Sequence, residues 1–535
     1  MLRPAARALS HTHNIRLLMT KSGYRPTAAR LSWPKAVSAV AFTMAIGVYF
    51  GHHPGVLNDS TPSSSGTVQS IRPQSTKQSI KMLSPAQVTS WLRENEESYF
   101  VDRGRGVVRY DISQLPSNSP IEDDRSEQVI QVPLLTETGE RIASDWSFWG
   151  LYDGHSGWTT SAKLRDALIP SVIGELDKVY VKSSPGSIHR LVPEPEVIDR
   201  AVKNGFLKLD NEIVNESVVK LLENPSKAGA TELIAPALSG SCGILAFYDS
   251  SSSLLRIAVT GDSRAVLGSK NESGQWTARA LSTDQTGSNI DEANRLRKEH
   301  PGEESTVVRA GRVLGSLEPT RAFGDARFKW SRNIQHKIAQ MFFGRQTPHE
   351  LKTPPYVTAE PEVTTTKINP ERGDFLVLGS DGVFEMLTNE ELVGLVAQWI
   401  EVKMPDNSSM AIKSHDSPGV FQKLFGLSKK ERSTVEDVSS NKDAQKQVIR
   451  RAAGAHPAFT VQDENVATHI IRNALGGADQ EQVSMLISIP APLSRRYRDD
   501  LTVTVVFFGD LEAHENGSIK VNKAATKSQL RKAKL

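Results

Sequence analysis

The sequence predicts an α+β fold built on antiparallel sheets. Short apolar runs rich in β-branched residues recur along the chain, as buried strands do, and the clearest are WSFWGLY, GILAFYD, LLRIAVTG, DFLVLGS and LTVTVVFFG. Segments with apolar residues at helical spacing lie between some of these runs. Because strand and helix candidates do not alternate regularly, antiparallel sheets are favoured over a doubly wound parallel fold.

The helix candidates follow from apolar spacing and from start signals. LSPAQVTSWLRENE, which begins at Leu83, has a serine start signal ahead of its apolar positions. Further candidates are residues 161–176, residues 195–221, IDEANRLRKEH from Ile290 and NEELVGLVAQWI from Asn389. Substantial helix content is therefore expected beside the strands.

Composition limits the classes of protein. The chain has 535 residues, of which 38% are hydrophobic and 23% charged, and its net charge of +3 does not indicate nucleic-acid binding. One cysteine, Cys242, excludes an intramolecular disulfide framework and a Cys-rich zinc site. A cysteine-based phosphatase would need Arg six residues later, where this chain has Tyr248. We therefore expect Cys242 to be a small buried residue.

The amino-terminal region predicts mitochondrial import. Residues 1–35 contain Arg, Lys, Ser and Thr, and the first acidic residue of the chain is Asp59, a composition typical of a transit peptide; a disordered basic tail is the alternative. Residues 36–51 carry no charge but are fewer than the 17–25 or so that a bilayer span needs. They are interpreted either as an inner-membrane anchor or as an extension of the presequence. Residues 52–81 are predicted to be a flexible linker.

The body of the chain is predicted to be one domain over residues 82–512. A polar stretch at about 404–447, crowded with Ser, Lys and Asp, is typical of a surface insertion. The last segment, 513–535, is basic, and we expect a solvated tail, with phosphoprotein contact as the alternative.

Carboxylates recur where the strand candidates begin or end. Four sites lie at the end or start of an apolar run and supply Asp153 in LYDGHSG, Asp262 in VTGDSR, Asp381 in LGSDG, and Asp499 and Asp500 in YRDDL. A separate loop, PIEDDR, supplies Glu122, Asp123 and Asp124. A single Asp-Gly is ordinary turn chemistry. A convergent set would instead concentrate negative charge that cations must neutralise.

Oxygen ligands without clustered His or Cys indicate hard ions such as Mg²⁺ or Mn²⁺. Two such ions roughly 3.5–4 Å apart can share a water and lower its pKa, so that hydroxide becomes available near neutral pH. On this hypothesis a strand end holds Asp153 rigidly for metal binding.

The chain resembles the metal-dependent type 2C Ser/Thr protein phosphatases. The motifs LYDGHSG, SGSCGILAFYD, VTGDSRAVLG, LSTDQTGSNIDEANRLRKEH, GRVLGSLEPTRAFGD, DFLVLGSDGVFEML and YRDDLTVTVVFF occur in that family's order. The resemblance implies an antiparallel β-sandwich flanked by helices, with metals in a cleft at one end of the sheets. QLPSNSPIEDDRSE, RAFGDARFKWS and KTPPYVTAEPEVT look most like the mitochondrial pyruvate dehydrogenase phosphatase branch.

The same resemblance implies a metal-ligand set. Asp153 would bridge two metals, the Gly154 carbonyl would bind one of them, and Asp381 and Asp499 would complete the other site. His155 would protonate the leaving Ser or Thr oxygen, a role suited to an imidazole near neutral pH.

Further ligands follow from the same motifs. Glu122 would act through a metal-bound water with Asp123 supporting it, and Asp262, with Asp381 and Glu385, would match a weaker third metal site.

Two positions depart from the family's pattern. Many members have Arg four residues before the Glu of the first acidic loop, where it binds substrate phosphate, whereas this chain has Asn118. A bidentate phosphate clamp is therefore absent there. Glu385 replaces a more common Asp, which lengthens the side chain at the third metal site. Both departures resemble the pyruvate dehydrogenase phosphatase branch.

Several other polar residues are interpreted as structural. Asp325 is expected to hold a loop, and Asp500 to support its neighbour Asp499. Arg264 and Arg321 are expected in buried ion pairs, with phosphate contact as the alternative.

These features predict a mitochondrial Mg²⁺- or Mn²⁺-dependent protein phosphatase that hydrolyses phosphoserine or phosphothreonine. The expected substrate is the pyruvate dehydrogenase E1α subunit. The alternatives are other mitochondrial phosphoproteins, or an inactive adaptor with the same fold, which would lack a metal Asp or the DGH motif. The domain would lie in the matrix, or face the intermembrane space if residues 36–51 anchor it in the inner membrane.

Overall fold

Two antiparallel sheets share a hydrophobic core and carry the site described below. The computed structural model describes residues 17–18, 80–135, 141–184, 187–190, 192–342, 346–404, 435–440, 445, 448–449, 458–511 and 517–527. The first sheet consists, in spatial order, of Leu17–Leu18, Asp124–Leu135, Arg141–Tyr152, Gly243–Asp249, Leu254–Thr260 and Glu362–Lys367. The second consists of Glu436–Asp437, Trp276–Ala280, Arg264–Lys270, Phe375–Gly379, Leu501–Phe508, Val107–Leu115, Glu97–Asp102 and Ser518–Val521. Neighbouring strands are antiparallel, except that Glu436–Asp437 runs parallel to its neighbour.

Strand residues alternate between two cores. In the strand Arg141–Tyr152, Phe148 packs with helix residues such as Leu168, whereas the next residue, Trp149, packs with Ile112 of the second sheet. This alternation is the period-two geometry of a strand whose two faces are both buried. The protein is therefore layered as helices, sheet, sheet and helices.

Helices cover the outer faces of both sheets. The α-helices of the described residues are Pro85–Leu92, Thr159–Tyr180, Pro195–Asn211, Ser217–Glu223, Lys227–Leu233, Ala235–Leu238, Ile290–Glu299, Ala326–Lys329, Arg332–Met341, Asp381–Phe384, Asn389–Lys403, Val466–Ala474 and Gln480–Ser488. Thr159–Tyr180 and Pro195–Asn211 pack on the first sheet, and Asn389–Lys403 and Val466–Ala474 on the second. Capping boxes at Ser84 and Thr388 satisfy the free N–H groups of two helix starts.

The α+β prediction is confirmed, and the five apolar runs form strands in both sheets. Each helix candidate also forms a helix. The segment 195–221 differs in detail, because a π-helical turn at Glu212–Glu216 interrupts it. One extra residue per turn shifts the buried face, which keeps Ile213 and Val214 in the core.

Part of the basic tail is ordered and joins the second sheet, although Lys520, Val521, Lys523 and Ala524 are exposed, as expected of a solvated tail. Ser518–Val521 pairs with Glu97–Asp102 at the edge of the second sheet, and Ala525 is fully buried. A free sheet edge offers unpaired N–H and C=O groups, and the strand Ser518–Val521 pairs with those of Glu97–Asp102.

Several segments of the sequence analysis fall outside the described residues. They are the presequence 1–35 apart from 17–18, the uncharged run 36–51, the linker 52–81 apart from its last two residues, and most of the insertion 404–447. Within the part of the chain that the structure describes, no helix has the length and apolar character of a membrane span.

Candidate active site

A three-stranded miniature sheet assembles one half of the site. Gly240–Ser241 is its central strand, with Gly154–His155 on one side and Phe323–Gly324 on the other. The strand Arg141–Tyr152 is followed in the chain by Gly154–His155, so the DGH turn begins where a buried strand ends. The arrangement places His155 beside Asp325, which follows Gly324.

His155 and Asp325 form a close pair. Nε2 of His155 lies 2.6 Å from Oδ2 of Asp325, and the two side chains are 20% and 8% exposed. Burial lowers the pKa of His155, but the charge and hydrogen bond of Asp325, together with the charges of Asp262 and Glu122, raise it more, so that the net shift is upward. The imidazole therefore holds a proton to higher pH than an isolated histidine would.

Gly240 permits this pair. A Cβ at this position would lie 2.2 Å from Nε2 of His155 and 2.3 Å from Oδ2 of Asp325. Only glycine leaves room for the pair across the central strand.

Asp153 lies at the meeting point of several carboxylates. Its backbone pairs with Cys242, and its Oδ2 accepts a hydrogen bond from the N–H of Asp381 at 3.3 Å. Burial, followed by the charges of Asp123, Asp381 and Asp262, raises the pKa of Asp153 well above its ordinary value. The structure thus brings these residues within electrostatic range, although they are far apart in the chain.

Asp499 lies against the turn that contains Asp381. A Cβ on Gly382 would come within 2.9 Å of the Asp499 Cβ, so the two motifs are in direct contact. The carboxylate of Asp499 forms an ion pair with Arg495.

Asp500, the neighbour of Asp499, has a structural role, as expected. It is buried and accepts backbone N–H bonds from the acidic loop, including those of Asn118 at 3.2 Å and Glu122 at 2.8 Å. These bonds hold the loop against the end of the second sheet.

The acidic loop packs on the DGH turn. A Cβ on Gly154 would lie 2.2 Å from the Glu122 carbonyl oxygen, and that oxygen accepts a hydrogen bond from the Ser161 hydroxyl. Burial raises the pKa of Glu122. Asp123 is buried, accepts from Thr502 Oγ1 at 2.6 Å, and its pKa is raised by burial and then by Asp500.

The two remaining sequence-predicted ligands occupy the same region. Asp262 is buried and accepts a hydrogen bond from Cys242 Sγ at 3.1 Å. Glu385 is buried one turn after Asp381, and its N–H donates to the Asp381 carbonyl at 3.0 Å. Cys242 is buried, as its place in the sequence indicated.

The side chains around Asp153 offer carboxylate oxygens, the donor type that hard divalent cations prefer. Among the residues that the structure describes, no group of three or more acidic, His or Cys side chains is arranged so that it could hold an ion as it stands. The Asp153 carboxylate instead accepts the Asp381 backbone N–H, and the Asp499 carboxylate pairs with Arg495. Burial and then repulsion from neighbouring carboxylates raise the pKa of Asp153, and a bound cation would relieve both.

Two arginines beside the site form structural ion pairs. Arg264 contacts Asp284 through Nε and Nη2 at 3.0 and 2.6 Å, and Arg321 contacts Glu292 at 3.1 and 2.6 Å. The prediction of buried ion pairs at both positions is confirmed. Since each guanidinium group makes two hydrogen bonds to one carboxylate, both arginines stabilise the surrounding fold.

Three contributors to the site were not predicted from the sequence. Asp325 was expected only to hold a loop, and no role was expected for Gly240 or Arg495. The FGD sequence at 323–325 was a usable signal for Asp325, because it repeats the Gly-Asp pair of VTGDSR.

The fold is the one that the resemblance to metal-dependent phosphatases predicted, and the motifs predicted to supply metal ligands lie close together in it. The family model of protein phosphatase 2C matches residues 126–415, and the chain belongs to that family. It is a protein-serine/threonine phosphatase.

Relatives extend the match beyond that range. The chain is 43% identical over 510 residues to "[Pyruvate dehydrogenase [acetyl-transferring]]-phosphatase 1, mitochondrial" of Saccharomyces cerevisiae, covering 92% of this chain and 84% of the relative. It is 40% identical to a protein phosphatase 2C homolog of Schizosaccharomyces pombe, covering 79% of this chain and 85% of the relative. It is 31% identical to the human enzyme named like the Saccharomyces one, covering 80% of this chain and 83% of the relative.

Proposed function

We propose that this chain is a mitochondrial phosphatase that uses two divalent ions, Mg²⁺ or Mn²⁺, to dephosphorylate the E1α subunit of pyruvate dehydrogenase. The substrate assignment rests on the 43% identity, over 92% of this chain, to a mitochondrial relative named for pyruvate dehydrogenase. Dephosphorylation would activate the dehydrogenase.

The proposed ion ligands are the carboxylates that surround Asp153. Asp153 would contact both ions, with the Gly154 carbonyl on one and with Asp381 and Asp499 on the other. When bound, such ions activate water and stabilise charge on the phosphoryl group. The support from the structure is the contact between Asp153 and the Asp381 N–H, together with the raised pKa of Asp153.

Outer positions complete the proposed set. Glu122, supported by Asp123, would act through water, and Asp262 with Glu385 would serve a weaker third ion. Glu385 is buried beside Asp381, although its longer side chain differs from the more common Asp.

His155 is proposed as the proton donor. Hydrolysis breaks the bond between phosphorus and the Ser or Thr oxygen, and that oxygen needs a proton as it leaves. Because Asp325 engages Nε2, Nδ1 is the ring nitrogen that would deliver the proton. Asp325 would hold the ring in place and favour the charged imidazolium.

We place the domain in the matrix, beside the proposed substrate, with residues 1–35 as the import signal. If residues 36–51 anchor the chain in the inner membrane and the domain faces the intermembrane space, protease added to mitoplasts will digest it. Protection in mitoplasts, lost on detergent lysis, is the expected result.

The substrate test compares phosphorylated E1α with unrelated mitochondrial phosphoproteins under Mg²⁺ or Mn²⁺. We expect faster release of phosphate from E1α, and no release after removal of the ions with a chelator. Equal turnover of all substrates would remove the dehydrogenase assignment while leaving the phosphatase. No turnover of any phosphoprotein would favour an adaptor, although Asp153, His155, Asp381 and Asp499 are all present.

A further inference from the structure

Position 118 leaves the site without its expected phosphate ligand. The amide Nδ2 of Asn118 lies 3.2 Å from Oε2 of Glu122, so this neutral side chain is turned to the acidic loop. A phosphate dianion is bound most strongly by charged, two-pronged donors such as guanidinium groups. Another arginine must therefore be sought around the carboxylates.

Most arginines near the site are held by carboxylates. Arg264 and Arg321 are 3% and 10% exposed and make two-point contacts with Asp284 and Glu292. Arg165, 25% exposed, bonds Asp124 and Asp166. Withdrawing any of these groups would leave a carboxylate without its partner, which is costly where that carboxylate is buried.

Arg495 differs in position and in exposure. It lies on the 3-10 turn Leu493–Arg496, and its side chain is 38% exposed. Its partner is Asp499, which stands in the metal motif one turn later. Its charge also lowers the pKa of Glu122 and Asp153, against the dominant effect of burial, so that it acts on carboxylates of both the acidic loop and the DGH turn.

Metal binding would change the partner of Arg495. A divalent ion on Asp499 would neutralise the charge that holds the guanidinium, because both compete for the same carboxylate oxygens. The released side chain would then border the phosphoryl site, with enough exposure to turn toward a substrate.

We propose that Arg495 binds the phosphoryl oxygens of the substrate in place of the arginine missing at position 118, after a divalent ion has displaced it from Asp499. This inference rests on the proposed metal-dependent hydrolysis but not on the identity of the phosphoprotein. Arg495 is thus a substrate-binding residue that also competes with the metal ion for the Asp499 carboxylate.

The test compares R495A and R495K with R496A, a change of the exposed neighbouring arginine. Calorimetry measures the Kd of inorganic phosphate for Mn²⁺-loaded protein, and electron paramagnetic resonance measures the Kd of Mn²⁺ without substrate. In R495A we expect phosphate to bind about tenfold or more weakly, since charge-assisted hydrogen bonds are lost. Mn²⁺ should bind more tightly, because its competitor is gone. R495K should lie between R495A and wild type, and R496A should match wild type.

Kinetics with a generic phosphoserine peptide supply a second readout, in which KM should rise in R495A more than kcat falls. An unchanged phosphate Kd in R495A would overturn the proposal. So would a weaker Mn²⁺ affinity that accounts for the whole loss of phosphate binding, because Arg495 would then only support the metal site. If R495A fails to fold by circular dichroism, the same criteria apply to R495K.

Failure of the proposed function gives a different pattern. Wild-type protein that hydrolyses the generic peptide but does not prefer E1α would remove the substrate assignment and leave Arg495 testable. Wild-type protein that binds no Mn²⁺ would overturn both the metal assignment and the displacement step.

Discussion

Oδ2 of Asp325 lies 2.6 Å from Nε2 of His155, across 170 residues of sequence. The central strand of the miniature sheet, Gly240–Ser241, holds the two residues together by pairing with the strand on each side. A carboxylate in this position fixes the orientation of the ring and favours the imidazolium. The pair therefore joins the DGH and FGD motifs into one unit, in which His155 is the proposed proton donor.

Replacing Asp325 with Asn should lower the pKa of His155. Burial alone would lower this pKa, and Asp325 is the largest of the groups, with Asp262 and Glu122, that raise it in the wild type. We expect the alkaline limb of the kcat–pH profile to move to lower pH and kcat to fall roughly 10- to 100-fold, as for other residues that orient a reactive group. An alkaline limb that stays in place would contradict a role for the pair.

The same pair affects stability with a defined sign. A raised histidine pKa contributes stability that is fully present below about pH 6.5, the unfolded value, and is lost as the pH rises through the folded pKa. The destabilisation caused by D325N should therefore be larger at pH 6 than at pH 9 in urea denaturation.

Replacing Gly240 with Ala should separate His155 from Asp325, because the new Cβ would overlap both. We expect a loss of kcat close to that of D325N. In the double variant G240A/D325N the second change should reduce kcat little further, since both changes remove the same contact between His155 and Asp325. The matched control is G174A, at an exposed helix position where a Cβ meets nothing within 4 Å. G174A should keep full activity and gain up to about 1 kcal/mol of stability.

Replacing Asp153 with Asn should raise the Tm of the metal-free protein and reduce its catalytic activity. Removing a buried, repelled carboxylate should raise the Tm of metal-free protein by about 2 °C or more. It should also reduce Mn²⁺-dependent hydrolysis at least about a hundredfold, since a metal ion stabilises transition-state charge by several kcal/mol. Differential scanning calorimetry with and without Mn²⁺ measures the first effect. A lower Tm in D153N, with exposed D510N unchanged, would show that Asp153 is stabilised in another way.

Replacing Arg321 with Met should destabilise the fold through Glu292. Burial would raise the pKa of Glu292, but Arg321 and Arg295 together lower it to about 2. Removing one partner of a buried ion pair costs about 3–5 kcal/mol, and we expect about 2 because Arg295 remains. A lowered carboxylate pKa contributes stability that is present above about pH 4.5 and lost as the pH falls toward 2, so the difference from wild type should shrink on acidification.

The comparison for Arg321 is R312M. Arg312 pairs with Glu318 on the surface, with side chains 45% and 31% exposed. Such pairs contribute roughly 0–1 kcal/mol, so R312M should unfold near the wild-type urea midpoint. Equal losses of unfolding free energy in R321M and R312M would mean that the burial of Glu292 does not strengthen its ion pair with Arg321.

Local patterns predicted the secondary structure well. WSFWGLY and LTVTVVFFG form strands, and the serine ahead of residues 85–92 caps that helix, because strand and helix preferences depend on near neighbours in the chain. The edge strand Ser518–Val521 escaped prediction, since it has only four residues and its pairing partner, Glu97–Asp102, lies at the other end of the domain sequence.

The sequence alone determined which residue types this protein uses, because DGH, SDG and RDD place carboxylates at strand ends whatever the packing. The tertiary structure decided which of them meet. Asp325 contacts His155 and Arg495 contacts Asp499 through strand pairing and a local turn, and Asp153 reaches the Asp381 N–H only because their two sheets end together. Contacts between distant residues depend on register and packing across the whole chain, and no short stretch of sequence carries that information.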